Sequence, residues 1–328
     1  METTQKFRGF RKEALRQLLM FGSLFLLFVF FSLASPNFCT FENIISIILA
    51  TCVNGMLALG VTFVIITSGI DLSIGTVMTL SAVMSGVFIT YWHLPVWLGV
   101  LGGIGTGMLC GFVNGIVISK MKLPPFIATL GMMMIAKGLA LVISGATPIY
   151  YTDAPSFSDI AMGSIIGKII PGADIPNAIL IFILFAIIAN IILTKTAIGR
   201  YDFAIGSNEE AARLSGLNVD RWKIIIYMLC GFFVGIGGIL MASRLNSAQP
   251  ALGQGYELDA IAAVVIGGTS LSGGEGSIIG TVIGALIMST LTNGLRILSV
   301  PQEWQIVISG IIVIGAVYLD IIRRRRTK

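Results

Sequence analysis

Polar residues along this chain collect between apolar runs instead of alternating with them, and each run is close to the 20 or so residues that a helix needs to cross a bilayer. Ten such spans stand out, at 17–35, 44–67, 74–90, 95–119, 124–144, 176–194, 223–243, 258–270, 276–296 and 302–320. None alternates with the period of two that a membrane strand would show, so the pattern predicts an all-α integral membrane protein of about ten transmembrane helices. The eighth span is irregular. Its apolar part, Ala260 to Gly268, is too short to cross about 30 Å of hydrocarbon, which predicts a broken or partly inserted helix. For the first span the alternative is a signal peptide, with Ser32 and Ala34 as the small residues ahead of a loop.

Glycines recur every fourth residue in three spans: Gly99, Gly103, Gly107, Gly111 and Gly115 in the fourth, Gly231 and Gly235 in the seventh, Gly276, Gly280 and Gly284 in the ninth. Lipid gives helices no hydrophobic reason to associate, so small residues that let backbones approach supply the contact. A step of four overshoots the 3.6-residue turn by about 40°, so the longest ladder winds round its helix and predicts a buried, central fourth span that serves two neighbours. A second regularity links Ser68-Gly69-Ile70-Asp71-Leu72-Ser73-Ile74-Gly75 to Gly267-Gly268-Thr269-Ser270-Leu271-Ser272-Gly273-Gly274, each after a Val/Ile run. Both predict glycine and serine caps at the inner ends of helices, and the echo points to two related halves.

Composition narrows the class. With 55% hydrophobic and 11% charged residues and a mean hydropathy of +0.94, the chain falls far from a soluble domain, where about 25% would be charged. Residues 1–328 read as a single transmembrane domain. Most of the 21 lysines and arginines sit before the first span (Lys6, Arg8, Arg11, Lys12, Arg16), after the fourth (Lys120, Lys122), in or beside 195–222, and at the end (Arg323 to Arg326, Lys328). By the positive-inside rule both termini and the 195–222 loop are cytoplasmic. The net charge of +5 is then explained by anionic lipid and calls for no nucleic acid.

That loop is the one long charged segment. Ser207 and Glu210 have the S-x-x-E spacing of a capping box, and Gly216 stands where a left-handed residue ends a helix. About two turns fit between them, and Ala211, Ala212 and Ser215 are expected to form a small-residue surface for another subunit. The plain alternative is a capped surface helix.

Catalytic and metal chemistry find no footing. No G-x-x-x-x-G-K-[ST] occurs, His93 is the single histidine, and Cys39, Cys52, Cys110 and Cys230 form no C-x-x-C pair, so neither an ATP site, a hydrolytic triad nor a metal centre is expected. Asn54, Asn114, Asn190, Asn293 and Lys137 are the amide and charged residues at mid-span. Of these Asn54, Asn114, Lys137 and Asn293 are the candidates for a solute path, against the commoner use of asparagine as glue between helices.

With G-S-N-E-E-A-A-R-L-S-G, S-G-I-D-L-S-I-G and S-A-Q-P-A-L-G-Q-G-Y-E-L-D-A-I-A-A-V-V-I-G-G-T-S-L-S-G-G-E-G in view, the chain resembles the ribose-type permeases of bacterial ABC sugar importers over nearly its whole length. The resemblance implies an inner-membrane subunit that carries a monosaccharide, is itself no enzyme and binds no cofactor. ATP and magnesium belong to a partner ATPase, a periplasmic binding protein delivers the sugar, and a second permease copy completes the path. It implies, too, that Gly206, Ser207, Asn208, Glu209, Glu210, Ala211, Ala212, Arg213, Ser215 and Gly216 form the coupling helix that sits in a cleft of the ATPase. A carrier working alone on a small polar solute is the alternative function.

Overall fold

The computed structural model describes residues 20–325 apart from 171 and 173; Lys6, Arg8, Arg11, Lys12, Arg16, Arg326 and Lys328 lie outside the described residues. The described chain is helical almost throughout: α1 (Met20–Ala34), α2 (Phe41–Ile66), α3 (Ile74–Gly86, continued by a π turn over Val87–Tyr91), α4 (Val96–Ser119), α5 (Pro125–Ser144), α6 (Pro155–Ala161), α7 (Ile165–Ile169), α8 (Asn177–Lys195), α9 (Ala197–Ser207), α10 (Glu209–Leu214), α11 (Val219–Leu245), α12 (Tyr256–Ile266), α13 (Ile278–Ile297) and α14 (Gln302–Arg325). Seven of these are long and apolar enough to span a membrane: α2, α3 with its π turn, α4, α5, α8, α11 and α13. Two shorter apolar stretches, Met20–Ala34 and Gln302–Gly315, add to them, and the chain is a multi-pass membrane protein.

The core runs down α2, α3 and α11, whose most apolar stretches are 67%, 78% and 72% buried, against 28% for α4 and 22% each for α5 and α8. This corrects the expectation of a central fourth span. The glycine ladder of α4 is buried, but Leu101, Leu109, Phe112 and Val113 on its other side are exposed. The ladder does serve two neighbours. A Cβ on Gly99 or Gly103 would meet Ser85 O or Ser81 O of α3, while Gly107, Gly111 and Gly115 lie on Gly231, Tyr227 and Ile224 of α11. Backbone therefore packs on backbone, and no side chain fits between. In the same way Gly280 and Gly284 of α13 lie against Gly267 and Ala263 of α12. α1 is woven into the bundle: Phe31 fills the space over Gly294, and Met20 packs with Ile283 and Ile287.

Besides α9 and α10, four elements fall outside the ten spans read from hydropathy. The connection from α5 to α8 carries α6, α7 and a short strand β1 (Ile149–Tyr150), which pairs antiparallel with β2 (Ser247–Ala248), Ile149 opposite Ala248. Past β2 the chain runs without regular structure to α12, which at 11 residues covers about 16 Å, half a crossing. Thr79 Oγ1 of α3 donates to Leu252 O at 2.7 Å and ties this irregular strip to the bundle, while Ala251, Leu252 and Gln254 stay exposed.

The two echoed loops have matching backbones, but with Ser68 opposite Gly268, one residue off the alignment of the sequence echo, which sets Ser68 against Gly267. Ser68 (φ 63°) and Gly268 (φ 84°) are the left-handed residues that end α2 and α12. In each, two N–H groups close on the helix carbonyls: Ser68 N to Ile65 O and Gly69 N to Val64 O, Gly268 N to Val265 O and Thr269 N to Val264 O. The loops also touch, since Ser68 Oγ donates to Ser272 O at 2.8 Å and Gly274 N to Ile66 O at 2.9 Å.

Candidate functional site

The polar stretch folds as an elbow of two helices, α9 and α10, set between α8 and α11. Its caps differ from the sequence reading. Ser207 is the last residue of α9, and Asn208 caps α10: with its backbone extended, its Oδ1 accepts Ala211 N at 2.9 Å. Asn208 serves better because the chain must bend between the helices, and a residue still in α9 geometry cannot also cap the next helix. At the other end Gly216 (φ 86°) takes the left-handed position, with Gly216 N on Arg213 O and Leu217 N on Ala212 O, the paired bonds of a Schellman motif. Ser215 Oγ returns to Ala211 O at 2.8 Å.

Ala212 is a second correction. It is not on the outward surface but 8% exposed, packed with Ile205 of α9 and Val219 of α11, and flanked by Leu217 and Trp222. The outward surface of α10 is formed by Glu210, Ala211, Leu214 and Ser215, with Leu214 84% exposed. An apolar side chain so exposed at the tip of a charged elbow is what a partner's cleft would take. Its place in the sequence, next to the helix stop, was the signal available.

Ion pairs brace the elbow. Glu209 accepts from Lys223 at 2.7 Å and from Arg213 at 3.4 Å; Asp220 accepts from Lys122 at 2.9 Å and from Arg213 at 3.0 Å. The Lys122 hydrogen bond, and then Arg213, hold the Asp220 carboxyl below its ordinary range. Partial burial raises Glu209, yet Lys223 and Arg213 outweigh it and leave that carboxyl lowered too. Tyr201 and Trp222 add a ring contact at 4.6 Å between α9 and α11.

The elbow rests on the echoed loops. Any side chain on Gly206 would collide with Ile66 O, and its Cβ would stand 2.6 Å from Gly274 N. Ser207 approaches Gly274, whose φ of 77° needs glycine's freedom. The last turn of α9 thus sits on the end of α2 and on the loop between α12 and α13, where these two already bond to each other.

The four candidate path residues do not converge. Asn114 is 2% exposed, and its Nδ2 donates to Ser73 Oγ at 3.1 Å, which in turn donates to Asp71 Oδ1 at 2.6 Å. Asn293 Nδ2 donates to Asn43 Oδ1 at 2.9 Å and ties α13 to α2. Those two act as glue between helices. Asn54 is half-buried, with an Oδ1 that has no partner. Lys137 alone is exposed, and its Nζ reaches Gln254 Oε1 at 2.9 Å, on the irregular strip before α12.

Known proteins agree on the family. Residues 43–317 match the family described as branched-chain amino acid transport system / permease component. The ribose import permease protein RbsC of Escherichia coli (strain K12) is 39% identical over 97% of this chain and 98% of its own length. Its counterpart in Bacillus subtilis (strain 168) is 42% identical over 92% and 91%. The fructose import permease protein FrcC of Rhizobium meliloti is 38% identical over 81% and 74%. On the family match and these identities, the chain belongs to the ribose-type permease family of bacterial ABC importers.

Proposed function

We propose that this chain is the membrane-spanning subunit of an inner-membrane importer for ribose or a related monosaccharide, powered by a separate ATPase that grips α10. Relatives named for ribose and fructose favour a sugar over an amino acid, although the family description mentions the latter. The observation that carries the docking part is the elbow itself: a rigid, doubly capped helix presenting Leu214 outward while Gly206 rests on the end of α2 and the loop after α12. Force applied to α10 would pass through that seat into the core helix α2 and the loop that joins α12 to α13.

On this reading the elbow and both termini are cytoplasmic, and α12 with its irregular strip counts as the eighth of ten crossings. A second copy of the chain completes the path. Lys137 and Gln254 then face water at that joint, since an ammonium within the bilayer is tolerated only toward a cavity or a partner. A binding protein delivers sugar from the opposite side, ATP and magnesium stay on the ATPase, and lipid headgroups hold the basic termini. Uptake of labelled ribose into proteoliposomes tests the whole: it is expected only when permease, ATPase, binding protein and ATP are all present. Uptake by the permease alone would replace this reading with that of a self-sufficient carrier.

A further inference from the structure

Asp202 sits in the middle of α9 with no exposed surface, and neither carboxylate oxygen has a hydrogen-bond partner. It lies on one face of its helix with Gly199 and Gly206, at the spacing of three and four residues that stacks side chains along a helix. Those two glycines mark that face as the contact face, since a Cβ on Gly199 would strike Leu193 O and one on Gly206 would strike Ile66 O. The acid is therefore pressed into the seat of the elbow. Thr269, in the loop that follows α12, has a buried Oγ1 that is also without a partner.

Charged groups on α9 and the elements packed around it do not relieve it. Lys195 of α8, Arg200 of α9 itself, Glu210 of α10, Arg221 of α11 and Glu275 of the loop after α12 are exposed, while Glu209, Arg213, Asp220 and Lys223 are paired with one another or with Lys122. The inner end of α2 has no ionisable side chain. Burial alone pushes the Asp202 carboxyl well above the ordinary carboxylate range. A buried polar group without partners costs free energy that an apolar side chain of similar size would not.

We propose that Asp202 is a positioning residue that biases the coupling elbow toward unseating: its carboxyl lacks partners only while α9 rests on the end of α2 and the loop after α12, and it gains water or a donor when that contact opens. Two arrangements of the seat then stay close in free energy, as a part that must move in every cycle requires. The bias has a definite sign with pH. The seated state holds its proton more tightly than the open state, whose acid titrates near about 3.9. Seating is therefore favoured most at low pH and is weakened as pH rises past that value, by at most about tenfold per unit until the buried group itself ionises.

The inference rests on the docking of α10 to an ATPase, so the test separates the two. The permease is reconstituted with its ATPase and binding protein, with ribose as the probe, and three things are measured: retention of the ATPase, ribose-stimulated ATP hydrolysis between about pH 6 and 8, and the thermal midpoint. Asp202→Leu is expected to retain the ATPase and raise the thermal midpoint, yet lower ribose-stimulated hydrolysis by roughly threefold or more by holding the seat closed. Asp202→Asn keeps the shape but cannot ionise, so the ratio of wild-type to variant rate is expected to grow with pH. If Asp202→Leu does not fold, that pH ratio decides. A constant ratio for Asp202→Asn, or an Asp202→Leu complex that is more stable and fully stimulated, would show that the acid is only a cost and overturn the proposal. A wild-type permease that retains no ATPase removes the docking reading and this inference with it.

Discussion

The seam between α4 and α11 and the elbow of α9 and α10 are both built from small residues, but they are held in opposite ways. In the seam, Gly107, Gly111 and Gly231 bring backbones together with nothing between them, and its strength is dispersion over a long, dry contact. The elbow hangs on discrete links: an asparagine cap, a glycine stop, a cluster of Ile205, Ala212 and Val219, and a chain of ion pairs. Each link is worth about 1 kcal/mol or less, and most face water. A seam so close-packed can only be whole or broken, whereas an elbow on separate weak links can shift as a body. On the proposed function, that difference would make the seam the frame and the elbow the moving part.

The comparison breaks most sharply in the seam. Gly107→Leu puts a branched side chain where even a Cβ meets the backbone of α11, so the helices must separate. Loss of folded protein, or destabilisation of about 3 kcal/mol or more, is expected in a thermal melt of the purified permease. Ordinary stability in that variant would mean that the seam is not the rigid half.

On α10, two neighbouring substitutions should part company. Ala212→Glu buries a charge among Ile205, Val219 and Trp222, and about 2 kcal/mol of local stability should go, seen as faster amide exchange across 205–222. Leu214→Asp should leave exchange unchanged and weaken ATPase retention by tenfold or more, as loss of a docked apolar anchor does. If Ala212→Glu alone affected docking with local order intact, the outward face would be wrongly assigned. Asn208→Ala removes only the cap and should cost about 1 kcal/mol, again visible by exchange in α10.

Much of this frame was legible in the sequence because a bilayer allows little else. Long apolar runs give helices, and glycine every fourth residue gives a seam whose two neighbours follow from the 40° drift. Hydropathy does not tell a central helix from a peripheral one, and α4 was misplaced for that reason: lipid-facing Leu101 and Leu109 read just like core residues. The π turn at Val87–Tyr91 and the β1–β2 pair depend on contacts made across the fold, whereas the halved α12 was readable from its short apolar run. At the elbow the stop at Gly216 was readable, since glycine's tolerance of positive φ is intrinsic. The start was not, because Ser207 and Asn208 are both good caps and only the length of α9 chooses between them. Whether Ala212 or Leu214 faces outward is likewise set by where α9 and α11 lie.

The smallest effect concerns the ion pairs, and it tests whether the elbow's links are separable. Lys122 and Arg213 hold the Asp220 carboxyl below its ordinary range, so the bracing it gives is fully present above the unfolded value near 3.9 and is lost as pH falls through the lower, folded one. Glu209, lowered in the same sense despite partial burial, loses Lys223 and Arg213 over the same acid window. Exposed pairs of this kind contribute at most about 1 kcal/mol, and salt screens them. Acidification from about pH 6 to 4 should therefore leave amide exchange in α10 almost unchanged, with faster exchange only below that, and Asp220→Asn should reproduce the low-pH rate at neutral pH. In the seam between α4 and α11 the glycine-packed stretch from Gly107 to Gly115 has no ion pair among its contacts, and only the end of the seam carries Lys120 and Lys122 on Asp220, so exchange in the glycine-packed stretch should not respond over the same range. A parallel response in both regions would mean that the elbow is continuous with the frame and moves only when the bundle does.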